Sequence, residues 1–166
     1  MKQQIIVSGI GGQGVLFLTR VIAQVAVDID MPILTSESHG MAQRGGTVLS
    51  TIKVGDFAAP LIRTGQADVG LFLWEANLPV HYSLIKDTGF LFINSDKQGE
   101  GERIDGSTIA RELGNNVLAN LVLLGLAVKK EALFCSAQDC IAAIKKLAPA
   151  KYTKQNLEAF SKGMNG

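Results

Sequence analysis

The sequence predicts an α/β fold of three layers, with a Rossmann-like, mostly parallel sheet and a helical C-terminal part. Apolar runs that are typical of strands alternate with helical periods over residues 1–95, and such alternation favours a parallel sheet covered by helices. From Ser107 onward the periodicity is helical throughout. A chain of 166 residues is of ordinary size for one domain. We therefore expect a single domain over residues 1–166.

The N-terminal elements follow from the period of their apolar residues. An apolar run predicts a first strand, a helical period then predicts a helix, a short β run follows, and clear alternation marks a longer third strand. These predictions cover Ile5–Ser8, Gln13–Val27, Pro32–Thr35 and Thr47–Val54. The turn-rich stretch Ser36–Gly46 is expected to be a loop.

The later elements are predicted in the same way. Val69–Trp74 is almost continuously apolar, as expected of a strand covered on both faces, and Phe90–Asn94 is a second such strand. Glu75–Lys86 can form a helix if Pro79 lies in its first turn. The polar stretch 95–102 reads as a linker. Four helices are then predicted over 107–113, 116–129, 137–147 and 153–163, the third opened by a capping box between Ser136 and Asp139.

Composition excludes several classes of function. The 16 basic and 15 acidic residues leave a net charge of +1, which favours neither nucleic acid nor an anionic membrane. No apolar run reaches the roughly 18 residues of a membrane span, and the start lacks a signal-peptide pattern, so we expect a cytoplasmic protein. The C-x4-C spacing of Cys135 and Cys140 matches neither a zinc nor an iron–sulfur ligand set. We expect two buried thiols and no metal site.

A glycine-rich turn lies between the first strand and the first helix. Gly9, Gly11 and Gly14 satisfy G-x-G-x-x-G, and Glu37 follows 23 residues after Gly14, close to where a ribose-binding acid would stand. Backbone N–H groups at such a turn can face a phosphate. The intervening Gly12-Gln13 is less typical of dinucleotide sites, so other phosphate-bearing ligands remain open, as does a turn whose glycines serve only packing.

A second box runs from Ser36 to Gly46. Arg44 offers a planar fork for a carboxylate or phosphate, or else a salt bridge to Glu37. His39 could donate a proton near neutral pH or simply hydrogen-bond the backbone. Because both boxes follow strands of the predicted sheet, we expect them to be neighbours at the carboxyl ends of those strands. The residues of the two boxes proposed to bind a cofactor are Gly9, Gly11, Gly12, Gln13, Gly14, Glu37, Gly40, Arg44, Gly45 and Gly46.

Together the two boxes resemble the signature segments of the gamma-type subunit of thiamine-dependent 2-oxoacid:ferredoxin oxidoreductases. The resemblance continues through 65–69, Glu75, 104–105, 113–115, 120–125 and 156–163, so it covers nearly the whole chain. Within that family, Glu-x-His-Gly-Met-Ala-Gln-Arg-Gly-Gly is most similar to the small beta subunit of indolepyruvate ferredoxin oxidoreductase.

The resemblance implies a complex that oxidatively decarboxylates a 2-oxoacid, here an aryl pyruvate, to an acyl-coenzyme A and passes electrons to ferredoxin. Thiamine diphosphate and the 4Fe-4S clusters would be held by partner subunits, and this chain would complete the site without being active alone. Arg44 would anchor an anion or fix its loop, with His39 and Gln43 as supporting polar contacts near coenzyme A. Two other hypotheses are a free-standing NAD(P)-dependent dehydrogenase and an architectural assembly module.

Overall fold

A computed structural model describes residues 1–40 and 46–166 of the protein. Over these residues it contains six strands and six α-helices. The strands are β1 (Gln3–Ile10), β2 (Ile33–His39), β3 (Thr47–Val54), β4 (Ala67–Phe72), β5 (Ile85–Asn94) and β6 (Glu102–Ile104). The helices are α1 (Val15–Asp28), α2 (Leu78–His81), α3 (Gly106–Glu112), α4 (Ala119–Lys129), α5 (Ala137–Leu147) and α6 (Thr153–Met164).

The strands form one mixed sheet in the order β2-β3-β1-β4-β5-β6. β1, β4, β5 and β6 are parallel neighbours. β3 is antiparallel to both β1 and β2, so β2 runs in the same direction as β1. The prediction of an α/β fold with a mostly parallel sheet is confirmed, and β3 is the strand that departs from it.

The two faces of the sheet are covered unequally. Strand side chains alternate between the faces, so Ile5 and Val7 enter a large core built with α1, α3, α4, α5 and α6. Ile6 points the other way, into a small core that it shares with Phe72 and Ile93. That second face is covered mainly by the short helical segment 75–84, which supplies Leu78 and Leu84.

The central helix α4 is surrounded by protein and, before its final lysine, is apolar on every side except at Asn120. Residues 119–128 are all buried, as expected of a helix that has no solvent-facing side. It crosses α6 where Gly125 and Gly163 meet, and a Cβ on Gly163 would overlap the carbonyl group of Val122. Among the residues that the structure describes, none of the helices combines the length and apolar character needed to cross a bilayer.

Several predicted elements are confirmed with nearly the expected bounds, and others are corrected. The third strand is Thr47–Val54 as predicted, and α5 begins at its capping box. The loop predicted over 36–46 is wrong for 36–39, which extend β2 because they pair with β3. The single helix predicted over 75–86 is wrong: residues 75–84 form 3-10 turns around α2, with Pro79 in its first turn, and residues 85–86 begin β5. Strand β6 was not predicted, since three residues carry too little pattern.

Candidate functional site

The side chain of Gln13 closes the glycine-rich turn between β1 and α1. The Ile10 N–H donates to Gln13 Oε1 at 2.9 Å, and Gln13 Nε2 donates to the Leu73 carbonyl at the end of β4 at 3.1 Å. Gly14 has φ 75° where it caps α1, a conformation that glycine adopts without strain. Gln13 therefore ties the turn to the neighbouring parallel strand.

Close packing explains two of the three glycines of the G-x-G-x-x-G motif. A Cβ on Gly9 would lie 2.8 Å from Val15 Cγ2, and one on Gly14 would lie 2.5 Å from Asn120 Nδ2 and 2.8 Å from Val117 Cγ1. Asn120 also donates to the Gly14 carbonyl at 3.0 Å. The start of α4 thus packs on the N-terminus of α1. Gly12 lies inside the motif but is not one of its three glycines. It has φ 91° and is exposed, and a Cβ there would have no neighbour within 4 Å among the described residues.

The two predicted boxes are in contact where the described part of the second box ends. The Gly11 N–H donates to the Gly46 carbonyl at 3.0 Å, immediately before β3 pairs with β1. The Gly40 N–H, just after β2, donates to the carbonyl of Thr47, the first residue of β3, at 2.6 Å. The expected proximity is therefore achieved through β3, which lies between β1 and β2, rather than through direct pairing of β1 with β2.

The start of the second box lies farther from the turn. Glu37 and His39 are exposed on the edge strand β2, and Glu37 pairs with Ser50 of β3, which in turn pairs with Val7. Glu37 is thus two strand spacings from β1, roughly 10 Å. Gln43, Arg44 and Gly45 lie outside the described residues, as does the proposed Arg44–Glu37 ion pair.

A cleft opens at the carboxyl ends of β4, β5 and β6. Its main cavity has a volume of about 770 Å³, within the usual range of ligand pockets. The lining residues are Leu73, Trp74, Glu75, Ala76, Leu78, Pro79, Asn94, Ser95, Asp96, Lys97, Asp105, Ser107, Thr108 and Arg111.

A smaller cavity joins this cleft to the glycine-rich turn. It has a volume of about 220 Å³ and is lined by Gly12, Gln13, Leu73, Ser107, Arg111, Asn116 and Ala119. Three of these residues also line the larger cavity. The exposed part of the turn and the cleft are therefore one continuous surface.

Arg111 gives that surface a positive charge where the two cavities meet. It lies in the last turn of α3, and its Nη2 donates to Thr108 Oγ1 at 3.1 Å. Thr108 also donates to Asp105, which caps the helix. The side-chain and backbone hydrogen bonds from Thr108 hold the pKa of the Asp105 carboxyl below its usual value, and the charge of Arg111 makes a smaller contribution. Arg111 is itself exposed and therefore accessible to an anion.

A second network fixes the outer rim of the cleft. Ser95 Oγ donates to Glu75 Oε2 at 2.7 Å, and Arg103 Nη1 donates to Glu75 Oε1 at 2.7 Å. Both contacts lower the pKa of Glu75, the hydrogen bond from Ser95 most. Arg103 Nε also holds the Glu100 carbonyl at 2.9 Å. The carboxylate of Glu75 is thereby engaged in holding the segment 95–103.

A buried polar cluster lies under the glycine-rich turn, on the thinly covered face. Asn77 Nδ2 donates to Ser8 Oγ at 3.0 Å and to the Gly9 carbonyl at 2.9 Å. Since Ser8 Oγ accepts that bond, its hydroxyl hydrogen is available for His81 Nδ1, 2.7 Å away. Burial lowers the pKa of His81. Burial thus favours the neutral imidazole, and the hydrogen bonds anchor segment 75–84 to β1.

The sequence pattern did not identify the residues that line the cleft. Arg111 and Lys97 are single cations in polar surroundings, and only the fold brings both to the larger cavity and Arg111 to the cavity that Gly12 also lines. Trp74 is the sole tryptophan and follows a buried strand, which was a usable signal. Ser8 interrupts an otherwise apolar strand and could have pointed to the buried cluster.

The chain's own residues do not suit an iron–sulfur cluster. A cubane cluster takes four thiolates, whereas this chain has two cysteines, whose sulfurs contact each other at 3.6 Å. Across residues 1–40 and 46–166, no group of three or more histidine, cysteine, aspartate or glutamate side chains could hold a metal ion.

The chain matches a known protein family over nearly its whole length. The family model described as pyruvate ferredoxin/flavodoxin oxidoreductase matches residues 4–166. The chain belongs to this family. The resemblance of the two boxes to subunits of 2-oxoacid:ferredoxin oxidoreductases is therefore confirmed.

Two curated relatives of this family member match over nearly their full length. Subunit IorB of the indolepyruvate oxidoreductase of Archaeoglobus fulgidus is 28% identical, over 99% of this chain and 95% of its own. Subunit KorC of the 2-oxoglutarate synthase of Methanocaldococcus jannaschii is 26% identical, over 98% and 92%.

Two solved structures share the fold. The gamma subunit of a keto/oxoacid ferredoxin oxidoreductase from Geobacter sulfurreducens has a TM-score of 0.81 and 25% identity, over 98% of this chain and 96% of that one. The 2-oxoglutarate:ferredoxin oxidoreductase of Magnetococcus marinus, solved with 2-oxoglutarate, coenzyme A and succinyl-CoA bound, has a TM-score of 0.79 and 19% identity. There the match covers 99% of this chain and 30% of the longer one.

Proposed function

We propose that this chain is the small subunit of an indolepyruvate-type 2-oxoacid:ferredoxin oxidoreductase in the cytoplasm. The complex would convert an aryl pyruvate to its acyl-coenzyme A and pass the electrons to ferredoxin. The observation that carries the substrate class is the full-length similarity to IorB, together with the segment Glu37–Gly46 that resembles indolepyruvate-type subunits. The similarity to KorC makes 2-oxoglutarate the alternative substrate to test.

The proposed roles of the subunits follow from which cofactors this chain can hold. Its two cysteines suit no 4Fe-4S cluster, so partner subunits would carry the clusters and thiamine diphosphate. When bound there, thiamine diphosphate supplies the chemistry that stabilises the carbanion left by decarboxylation. This chain would complete the shared site and would be inactive alone.

Coenzyme A is the ligand that the cleft is proposed to receive. Phosphate groups require cations and backbone N–H donors, and the cleft brings Arg111 and Lys97 to a surface continuous with Gly12. Trp74 lines the same cleft and is 44% exposed, and its indole offers a flat surface for a base. Of the second box, the described residues Glu37, His39, Gly40 and Gly46 line neither cavity. We propose that they contribute, with Gly45 and the side chains of Gln43 and Arg44, to the shared site at the interface with the partner subunits.

Co-expression with the thiamine-binding, cluster-bearing partner tests the substrate class. We expect a stable complex whose 2-oxoacid-dependent viologen reduction requires both chains and is faster with indolepyruvate than with pyruvate or 2-oxoglutarate. Failure to form a stable complex would contradict the proposed partnership. A complex that prefers 2-oxoglutarate would overturn the substrate class alone.

Arg111→Gln in the assembled complex tests the cleft. Charge-assisted hydrogen bonds contribute about 1.5–3 kcal/mol, so we expect the KM for coenzyme A to rise about tenfold to hundredfold with the KM for the oxoacid unchanged. Arg20→Gln is the matched control, because Arg20 is exposed on α1 and lines neither cavity. An unchanged KM for coenzyme A in Arg111→Gln would exclude this contact.

Arg44→Ala tests the second box in the same complex. The proposal expects either impaired assembly or a higher KM for coenzyme A, because Arg44 would anchor an anion or fix its loop. If both assembly and coenzyme A dependence match the wild type, Arg44 has neither role.

A further inference from the structure

We propose that Cys135 and Cys140 form a reversible modification site, in which peroxide converts the two thiols into an intramolecular disulfide at the start of α5. Both cysteines are free thiols, and their sulfur atoms lie 3.6 Å apart. This inference is independent of the substrate and ligands proposed above.

The capping box of α5 holds the two sulfurs together. Ser136 caps the helix and accepts from the Asp139 N–H at 3.2 Å, while the Ser136 N–H donates back to Asp139 Oδ2 at 2.9 Å. Cys135 and Cys140 therefore occupy the positions just before the cap and four residues after it. A pair of apolar side chains commonly packs across these two positions. Here thiols take that place, so the reduced protein already holds the disulfide partners in contact.

The two thiols differ in access to solvent. Cys140 is 1% exposed, and its pKa is raised by the hydrogen bond with Cys135 and by burial. Cys135 is partly exposed. Because the thiolate is the reactive form and must meet the oxidant, Cys135 reacts first and Cys140 is the resolving thiol.

The chemistry balances with hydrogen peroxide as oxidant. The Cys135 thiolate attacks one peroxide oxygen, the O–O bond breaks, and hydroxide leaves and takes up the proton that the thiol released. The resulting sulfenic acid is attacked by the Cys140 sulfur. The S–S bond forms, the S–O bond breaks, and the Cys140 proton leaves with the hydroxyl as water. Two thiols are oxidised and one peroxide is reduced to two waters.

The modification would act on a helix that contributes to the main core. α5 buries Ala143 and Ile144 beside α1, and Lys146 pairs with Asp28 at the end of α1. Closing the segment 135–140 would fix the first turn of α5 to the chain that precedes it. Oxidation would then stabilise the N-terminal end of α5 within the helical layer.

Peptide mapping of the full-length chain tests the proposal. The native protein is treated with hydrogen peroxide, denatured, alkylated with N-ethylmaleimide and digested with trypsin. Cleavage after Lys130 and Lys145 places both cysteines in one peptide, 131–145. We expect this peptide to be unalkylated and lighter by two hydrogen atoms. Dithiothreitol before alkylation should restore two alkylated cysteines.

Two serine variants separate the roles of the thiols. Cys140→Ser should leave Cys135 reactive, so its peptide gains two oxygen atoms as sulfinic acid. Cys135→Ser should leave Cys140 unmodified under native conditions because it is buried. The proposal is overturned if the wild-type peptide remains doubly alkylated, carries oxygen atoms, or is found in a disulfide between two chains on a non-reducing gel. The wild-type result decides the question even if a variant fails to fold.

Discussion

At the scale of single residues, the buried cluster of Ser8, Asn77 and His81 is the feature with the clearest energetic consequence. A buried hydroxyl must keep its hydrogen-bond partners, because an unsatisfied group costs about 1–3 kcal/mol. The neutral imidazole satisfies Ser8 by accepting at Nδ1. Protonation would remove Nδ1 as an acceptor for the Ser8 hydroxyl and would place a charge in a buried site. The cluster therefore stabilises the fold more when His81 is neutral.

His81 should make stability depend on pH just below neutrality. Since burial lowers its pKa in the folded state, the unfolded chain binds more protons between that lowered pKa and its ordinary value of 6.5. The free energy of unfolding should thus fall as pH decreases through this window and be independent of His81 above it. Urea unfolding at pH 7.5 and pH 5.5 measures the difference.

Variants at the two histidines isolate this effect. In His81→Asn we expect a smaller loss of stability between pH 7.5 and pH 5.5 than in the wild type, because the titrating group is gone. His39→Asn is the matched control, since His39 is exposed on β2, and it should keep the wild-type difference. Equal pH differences in wild type and His81→Asn would refute the argument.

At the scale of elements, the crossing of α4 and α6 is set by glycines. The backbones approach so closely at Gly125 and Gly163 that a side chain on either would meet backbone of the other helix. Backbone atoms cannot move aside individually, so the helices would have to separate. Because residues 119–128 are all buried, such a shift would disturb packing on every side of α4.

Gly163→Ala should therefore destabilise the protein. Alanine improves helix propensity by about 1 kcal/mol, but overpacking typically costs 1–3 kcal/mol, occasionally more, and the clash here is with a carbonyl group of Val122. We expect a net loss of about 1–2 kcal/mol in urea unfolding. Ser161→Ala, on the exposed side of the same helix, should change stability by less than about 0.5 kcal/mol. Wild-type stability in Gly163→Ala would show that the two helices can separate without cost.

At the scale of the whole molecule, strand order distinguishes this fold from a dinucleotide-binding one. In the latter, the acid that binds the ribose ends a strand adjacent to the glycine-rich turn. Here β3 separates β1 from β2, and Glu37 lies within β2 at the level of Val7. The start of α4 also packs against Gly14. The arrangement argues against the dehydrogenase hypothesis.

The purified chain should accordingly not bind NADH. We expect isothermal titration to give flat heats, with an established NAD-dependent dehydrogenase as the positive control. Saturable binding at micromolar concentration would revive the dehydrogenase hypothesis. In that event Glu37→Gln would show whether the ribose contact exists, because the substitution should weaken NADH binding only if Glu37 contacts the ribose.

Features that depend on neighbours along the chain could be predicted from the sequence. The period of the apolar residues predicted β3 and α5, the capping box predicted where α5 begins, and the two boxes predicted the family. Each rests on spacing within a few residues, which local backbone geometry translates directly into structure. The proximity of Gly11 and Gly46 was also expected, although by a different route.

Which distant residues share a surface became apparent only in the folded protein. Pairing of β3 between β1 and β2 places Glu37 and His39 away from the turn, and the position of α3 after β6 lets Arg111 line the same cavity as Gly12. Strand order depends on contacts between residues far apart in sequence, and local periodicity carries no information about them. For the same reason Ser8 and His81, 73 positions apart, could not be recognised as partners before the fold was known.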